Sequence, residues 1–167
     1  MSEADSVEFI SDLPQDDGRQ SLAALAIARG AGRVLHAHGY CRMAEFTLAN
    51  GRRADLAALS PAGEIWIVEI KSSVIDYRSD QKWPEYRDYC DRFFFAVQSD
   101  FPRELIPEDV GLIVADRFGG EVVRSAPEHR LSSGRRKAIL LQFARTAAIR
   151  LHALADPGIV LEKSVRE

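Results

Sequence analysis

Apolar positions along the chain repeat first with a helical period, then with a strand period, then with a helical period again. Over residues 20–39 (QSLAALAIARGAGRVLHAHG), Ala24, Ile27, Ala28, Ala31, Val34 and Leu35 recur three and four residues apart. That spacing predicts an amphipathic helix that stops at Gly39 and tolerates Gly30 and Gly32 inside it. From Met43 the text MAEFTLANGRRADLAAL sets two strand-like runs around Asn50-Gly51, a strong sign of a tight antiparallel hairpin. The break SPAGE at 60–64 leads into a third strand, so a three-strand meander is expected. Residues 72–92 (SSVIDYRSDQKWPEYRDYCDR) are polar and aromatic, which predicts a loop followed by a short helix opened by Pro84 and running to about Cys90. The runs DRFFFAVQ at 91–98 and VGLIVAD at 110–116 are nearly unbroken in apolar residues, as in strands buried on both faces, and SDFPRELIPED connects them. A short strand follows at 121–126 (EVVRSA). A long closing helix over 132–154 then carries Ile139, Leu140, Phe143, Ala147, Leu151 and Leu154 on one face. This order of elements gives an α/β fold, a mixed sheet with helices packed on it.

Length and composition fit one domain. A chain of 167 residues that is 46% hydrophobic can bury one sizeable core, and we place the domain at 19–155. No apolar run approaches the roughly 20 residues needed to cross a bilayer. The N-terminus is acidic where a secretory signal would be basic, so a soluble, cytoplasmic protein without membrane contact is expected.

The formal net charge of -3 is unevenly spread. Residues 1–18 hold six acids (Glu3, Asp5, Glu8, Asp12, Asp16, Asp17) and no Lys or Arg; removing those six from the 25 acids leaves 19 against 22 basic residues. Residues 1–18 therefore read as a disordered acidic arm and 156–167 as a charged C-terminal tail, and the body between them does not exclude a nucleic acid partner. Cys41 and Cys90 sit in no zinc-ligand spacing and are expected to be reduced core thiols. His36, His38, His129 and His152 are dispersed, and there is neither a Gly-x-Ser-x-Gly nor a Gly-rich phosphate loop, so acyl transfer and nucleoside-triphosphate chemistry lack support.

Candidate chemistry sits between residues 51 and 73 (GRRADLAALSPAGEIWIVEIKSS). In the third strand, Ile65, Ile67, Glu69 and Lys71 share one face while Trp66, Val68 and Ile70 share the other. Asp55 lies on the preceding strand of the meander. Adjacent strands are roughly 4.8 Å apart, so two carboxylates and an ammonium are brought close together at a strand end. Mg²⁺, or Mn²⁺ in its place, takes oxygen ligands and keeps several waters, so Asp55 and Glu69 with the backbone carbonyl of Ile70 suffice to hold it. Such a site cuts phosphodiesters by metal-assisted hydrolysis, with Asp55, Glu69 and Lys71 as the catalytic set and Lys71 orienting or activating the attacking water. The plain alternative for an isolated Glu-x-Lys is a surface ion pair.

The order Asp55, then Glu69-Ile70-Lys71 on the next strand, resembles the PD-(D/E)XK nuclease-like superfamily. The stretches GRRADLAAL, GEIWIVEIKSS, DQKWPEYRDYCDRFFFAV, GLIVAD and APEHRL are similar to the bacterial MmcB-like DNA repair proteins, over roughly residues 20–152. The resemblance implies a restriction-endonuclease-like mixed sheet flanked by helices and a role in the DNA-damage response. DNA is the implied partner, with other repair proteins possible; catalysis is inferred from the motif. Many nucleases of the superfamily carry a glutamate ligand on the first helix, yet 20–39 contains no acid. Glu45, on the strand beside Asp55, is the candidate replacement. Ala54 also stands where the superfamily has proline before its aspartate.

The resemblance further implies that Gln81 and Tyr86 lie near the scissile phosphate, with Lys82 and Arg87 beside them. Ordinary solvation, or packing of Tyr86 and Trp83 on the sheet, explains them equally. Arg52 and Arg53, just after the hairpin turn, either touch DNA backbone or are solvated. The stripe Arg135, Arg136, Lys137 is either a solvated face or an electrostatic footprint, the latter hinted at because positive charge opposes the dipole at a helix start. Two further readings stay open beside the nuclease: a nuclease fold that binds DNA or a repair partner without cutting, and a scaffold that docks a protein through its sheet edge or acidic arm.

Overall fold

The computed structural model describes residues 21–158; the acidic arm assigned to 1–18 and most of the tail lie outside the described residues. Helix α1 (Leu22–Ala37) is followed by β1 (Cys41–Thr47), β2 (Arg53–Leu59) and β3 (Ile65–Ile70), then the short helix α2 (Val74–Ser79) and a 3₁₀ run (Trp83–Tyr89). After these come β4 (Arg92–Val97), β5 (Gly111–Ala115), β6 (Gly120–Arg124) and the long helix α3 (Ser133–Ala155). The six strands form one sheet in chain order. The β1–β2–β3 meander is antiparallel, β4 and β5 add in parallel, and β6 closes antiparallel. This is the mixed α/β sheet flanked by helices that the periodicity predicts, and it is consistent with a restriction-endonuclease-like fold.

The period-two text of β3 sorts its residues between two layers. Trp66, Val68 and Ile70 pack with Ile27, Ala31 and Leu35 of α1, while Ile65 and Ile67 pack with Phe93 and Phe95 of β4, Tyr86 of the 3₁₀ run and Ile139 of α3. All six residues of β3 are buried, as expected of a central strand covered on both sides. The Asn50-Gly51 turn forms as predicted, with Gly51 at φ 83° and its N–H donating to the Leu48 carbonyl.

Glycine inside α1 has a packing reason. A Cβ at Gly30 would overlap the carbonyl oxygens of Asp116 and Gly119 in the β5–β6 turn, so the helix lies directly against main chain there. Gly30→Ala should cost about 1–3 kcal/mol through overpacking, despite the better helix propensity of alanine; a thermal melt equal to the parent's would contradict this close approach.

The structure corrects several expectations. Residues 74–79, read as loop, are the helix α2, capped by Ser73, whose Oγ accepts the Asp76 N–H at 3.1 Å while Asp76 Oδ2 accepts the Ser72 N–H at 3.1 Å. These two bonds hold a helix too short and too exposed to show a period, with Ile75 82% exposed. The turn opened by Pro84 is 3₁₀ rather than α.

In α3 the apolar face buries only around Ile139, Leu140 and Phe143, and Leu151 and Leu154 are exposed. Its outer half is held instead by polar reach: Gln142 donates to the Thr47 carbonyl, and Arg150 to those of Ala44 and Glu45. Cys90 is a buried free thiol as expected, whereas Cys41, at the start of β1, is exposed. No helix among the described residues is long and apolar enough to cross a membrane.

Candidate metal centre

The β2–β3 ladder pairs Leu59 with Ile65 through to Leu56 with Val68, and then its backbone pairing ends. One step further on, side chains take over. The Asp55 N–H donates to Glu69 Oε1 at 3.0 Å, and the Ile70 N–H donates to Asp55 Oδ2 at 2.7 Å. On its other side β3 continues along β4, with the Lys71 N–H donating to the Ala96 carbonyl at 3.0 Å. The two strands therefore part where the two carboxylates lie, and each carboxylate spans the gap through one oxygen. Among the described residues, neither Asp55 Oδ1 nor Glu69 Oε2 receives a hydrogen bond.

Burial makes this pair uneasy as two anions. Glu69 is 5% exposed, and its carboxyl is pushed well above the usual range, first by burial and then by the charge of Asp55. Burial also pushes Asp55 up to about 6, against the pull of the Ile70 N–H and of Lys71; the nearby Asp76 adds to the rise. Lys71 is equally buried. Burial alone would lower its pKa, but its ammonium donates to Asp80 Oδ2 at 2.7 Å and the net effect is upward. Lys71 therefore stays protonated at neutral pH, and its charge is answered first by Asp80 rather than by the carboxylate pair.

A cleft of about 290 Å³ opens over these groups, lined by Ser21, Ala24, Asp55, Glu69, Ile70, Lys71, Ser72 and Asp76. Helix α1 reaches it with its N-cap Ser21, whose Oγ accepts the Ala24 N–H at 3.1 Å. It contributes no acid, in keeping with the sequence of 20–39. The third acid on the cleft wall is Asp76 from α2. Among the described residues no group of three or more His, Cys, Asp or Glu is gathered tightly enough to hold a metal by side chains alone. The donors that are gathered are all oxygens: the buried carboxylate of Glu69 and the half-buried one of Asp55, each with an oxygen to spare and repelling each other. That set fits a hard divalent cation, which needs only one or two carboxylates beside a carbonyl and water.

The remaining candidates are dispersed around the cleft. Glu45 has positive φ (50°) and its carboxylate lies 3.7 Å from Arg53 Nη2, outside the cleft lining. Arg52 is turned to Glu85 at 2.6 Å. Tyr86 is buried, stacked on Phe93 with ring centroids 6.0 Å apart, and its hydroxyl donates to the Arg53 carbonyl at 3.0 Å. Packing is thus what Tyr86 does here, and Trp83 likewise stacks on Phe93. Gln81 is exposed and donates to the Arg78 carbonyl, and Lys82 is exposed. Arg87 pairs with Asp109 at 2.9 Å and lies over the Trp83 ring.

The stripe at the start of α3 is neither wholly solvated nor wholly available. Arg136 makes a two-pronged pair with the buried Asp91 (2.8 and 2.6 Å), and Arg135 donates to the Asp88 carbonyl. Asp76, Asp80 and Asp91 are the acids that sequence reasoning missed. The Ser73-x-x-Asp76 cap was the available signal for the first, and nothing in the local text singles out the other two.

A family model described as DNA repair protein MmcB-like matches residues 11–158. Among solved structures, the SPO1766 protein of unknown function from Silicibacter pomeroyi is 45% identical, with a TM-score of 0.81, covering 86% of this chain and 99% of that one. No curated protein matches the chain.

Proposed function

The chain belongs to the MmcB-like family of DNA repair proteins, and from that premise we propose that it is a metal-dependent deoxyribonuclease of the PD-(D/E)XK type. A role in DNA repair comes with the family. The cutting chemistry is our reading of the site. The observation that carries it is the Asp55–Glu69 pair at the parting of β2 and β3, with one oxygen of each carboxylate unbonded.

Asp55, Glu69 and the carbonyl of Ile70 would hold Mg²⁺ or Mn²⁺. When bound, the ion supplies Lewis acidity toward a phosphoryl oxygen and a bound water of lowered pKa. The chain's own residues do the rest. The Asp55 and Ile70 N–H groups fix the two carboxylates in place, as donors set before the reaction rather than during it. Lys71, kept cationic by Asp80, meets the phosphate as a positive charge and a positioning group; a permanently protonated amine is no general base.

A second reading, a nuclease-like fold that grips DNA without cutting it, is favoured by the Lys71–Asp80 contact, which engages the ammonium away from the carboxylate pair. One experiment separates the two. Single-stranded, nicked and branched DNA are incubated with the full chain in millimolar Mg²⁺ or Mn²⁺ and in chelator, alongside thermal melts in the same buffers. Metal-dependent cleavage with a metal-dependent rise in Tm is expected, since an ion that binds only the folded chain must stabilise it. Bound but uncut DNA, with a Tm indifferent to both metals, would favour the second reading and overturn the first.

A further inference from the structure

We propose that the segment 129–131 and the first turns of α3 form a binding track for single-stranded DNA, separate from the metal centre. The inference rests on the DNA repair role but not on cleavage. Two clefts, of about 450 and about 460 Å³, meet here and share Arg130 and Leu131 in their walls.

The first cleft is cationic, with Arg87, Arg130 and Arg135 against a single carboxylate, Asp88. The second has an apolar floor of Leu131, Leu140 and Leu141 with Arg136 and Lys137 beside it. Some of these cations are fixed by the fold: Arg87 by Asp109, Arg135 by the Asp88 carbonyl, Arg136 by Asp91. Arg130 and Lys137 are exposed and make no hydrogen bond or ion pair among the described residues. Nothing in the fold requires their charge, which leaves both side chains available to a polyanion.

The apolar floor decides which form of DNA fits. A duplex presents phosphates outward and hides the faces of its bases in the stack, so a floor of leucines beside cations gives it little. An unpaired strand offers both its backbone to Arg130 and Lys137 and its base faces to Leu131, Leu140 and Leu141. The aromatic ring of Tyr89, at the end of the 3₁₀ run, lies under Arg135 with 5.1 Å from guanidinium to ring centroid and adds an aromatic face beside the first cleft.

The test measures fluorescence anisotropy of a labelled oligothymidylate, and of the same length of duplex, in chelator over a salt series. The full chain is compared with Arg130→Glu/Lys137→Glu and Arg130→Gln/Lys137→Gln. The parent should prefer the single strand. The Gln variant should weaken that binding about tenfold at low salt and flatten the slope of log K against log salt by about 1.4, two phosphate contacts at about 0.7 each. The Glu variant should weaken it further, and both should melt with the parent because the two side chains are exposed. Unchanged affinity and slope, a parent that prefers duplex, or a parent that binds neither would each overturn the proposal. Because no metal is present and Asp55 and Glu69 are intact, a chain that cuts nothing yet binds through Arg130 and Lys137 would fail as a nuclease and still carry the track.

Discussion

Glu69→Gln should abolish metal-dependent DNA cleavage, by about a thousandfold or more, which is about 4 kcal/mol of barrier, and at the same time raise the melting temperature of the metal-free chain at neutral pH. Both effects come from one negative charge. Glutamine keeps an oxygen that accepts the Asp55 N–H, so the bridge between β2 and β3 survives. What disappears is an anion that burial and Asp55 both oppose.

The sign follows from the raised folded pKa values. A carboxyl whose folded pKa lies above its ordinary value, 4.5 for Glu69 and 3.8 for Asp55, stabilises the fold fully below that ordinary value. It loses that contribution as pH rises through the folded value, about 6 for Asp55. The parent should therefore become more strained as pH rises above 4.5, and the variant should exceed it at neutral pH by several degrees, at roughly 2–4 °C per kcal/mol for a domain of this size. Near pH 4 the two melts should converge, because Glu69 is then protonated in the parent as well. Thermal melts across pH 4–8 and product gels check the two halves together; a variant that melts below the parent at pH 7.5 would show that the carboxylate stabilises the fold after all. Adding Mg²⁺ should narrow the gap by stabilising the parent alone.

Asp91→Ala should be the most damaging single change to stability, costing about 3–5 kcal/mol. Asp91 is 1% exposed, and its two oxygens accept from four donors: the Ile65 and Leu131 N–H groups and both terminal nitrogens of Arg136. Its own carbonyl accepts the His129 N–H. One side chain thus joins the start of β3, the start of β4, the loop at 129–131 and the first turn of α3. Alanine would strand two buried N–H groups and leave Arg136 with the Gly63 carbonyl alone. Urea or thermal unfolding should register a fall in Tm of roughly 10 °C or more.

The contacts with Arg136 and the two N–H groups outweigh burial and hold Asp91 below the usual carboxylate range. Its contribution is therefore present above its ordinary pKa of 3.8 and lost as pH falls through the folded value, so the deficit of the variant should shrink in acid. The double change Asp91→Leu with Arg136→Met should recover much of the loss, since apolar replacement of both partners of a buried pair is far milder than removal of one. A double variant as unstable as Asp91→Ala would locate the cost in the stranded N–H groups instead.

What was legible in the sequence divides along these same residues. Period-two burial in IWIVEI and the Asn50-Gly51 turn are local, and they suffice to set Asp55 beside Glu69. The partners of those groups were not local. Lys71 meets Asp80 only because α2 folds back, and α2 has too few buried residues to leave a periodic trace. Asp91 and Arg136 are 45 residues apart, and neither is marked by its neighbours. Tyr86, which the resemblance sets near a phosphate, packs on Phe93 with its hydroxyl on the Arg53 carbonyl, partners 7 and 33 residues away that its sequence neighbours do not announce. The apolar face of α3 is longer in sequence than in burial, because helical spacing of leucines reports amphipathicity and not whether a neighbour covers them.

The reach of Gln142 and Arg150 to the carbonyls of Thr47, Ala44 and Glu45 has a consequence for the company the protein keeps. β1 is an outermost strand, and an outermost strand offers unpaired main-chain groups to any other extended chain. Here side chains from α3 occupy three of those acceptors, the carbonyls of Ala44, Glu45 and Thr47, so the helix serves as a selvage along this edge of the sheet. The Asp91–Arg136 pair that anchors the near end of α3 therefore protects solubility as well as stability: once it lets go, the uncovered strand becomes a template for the next molecule.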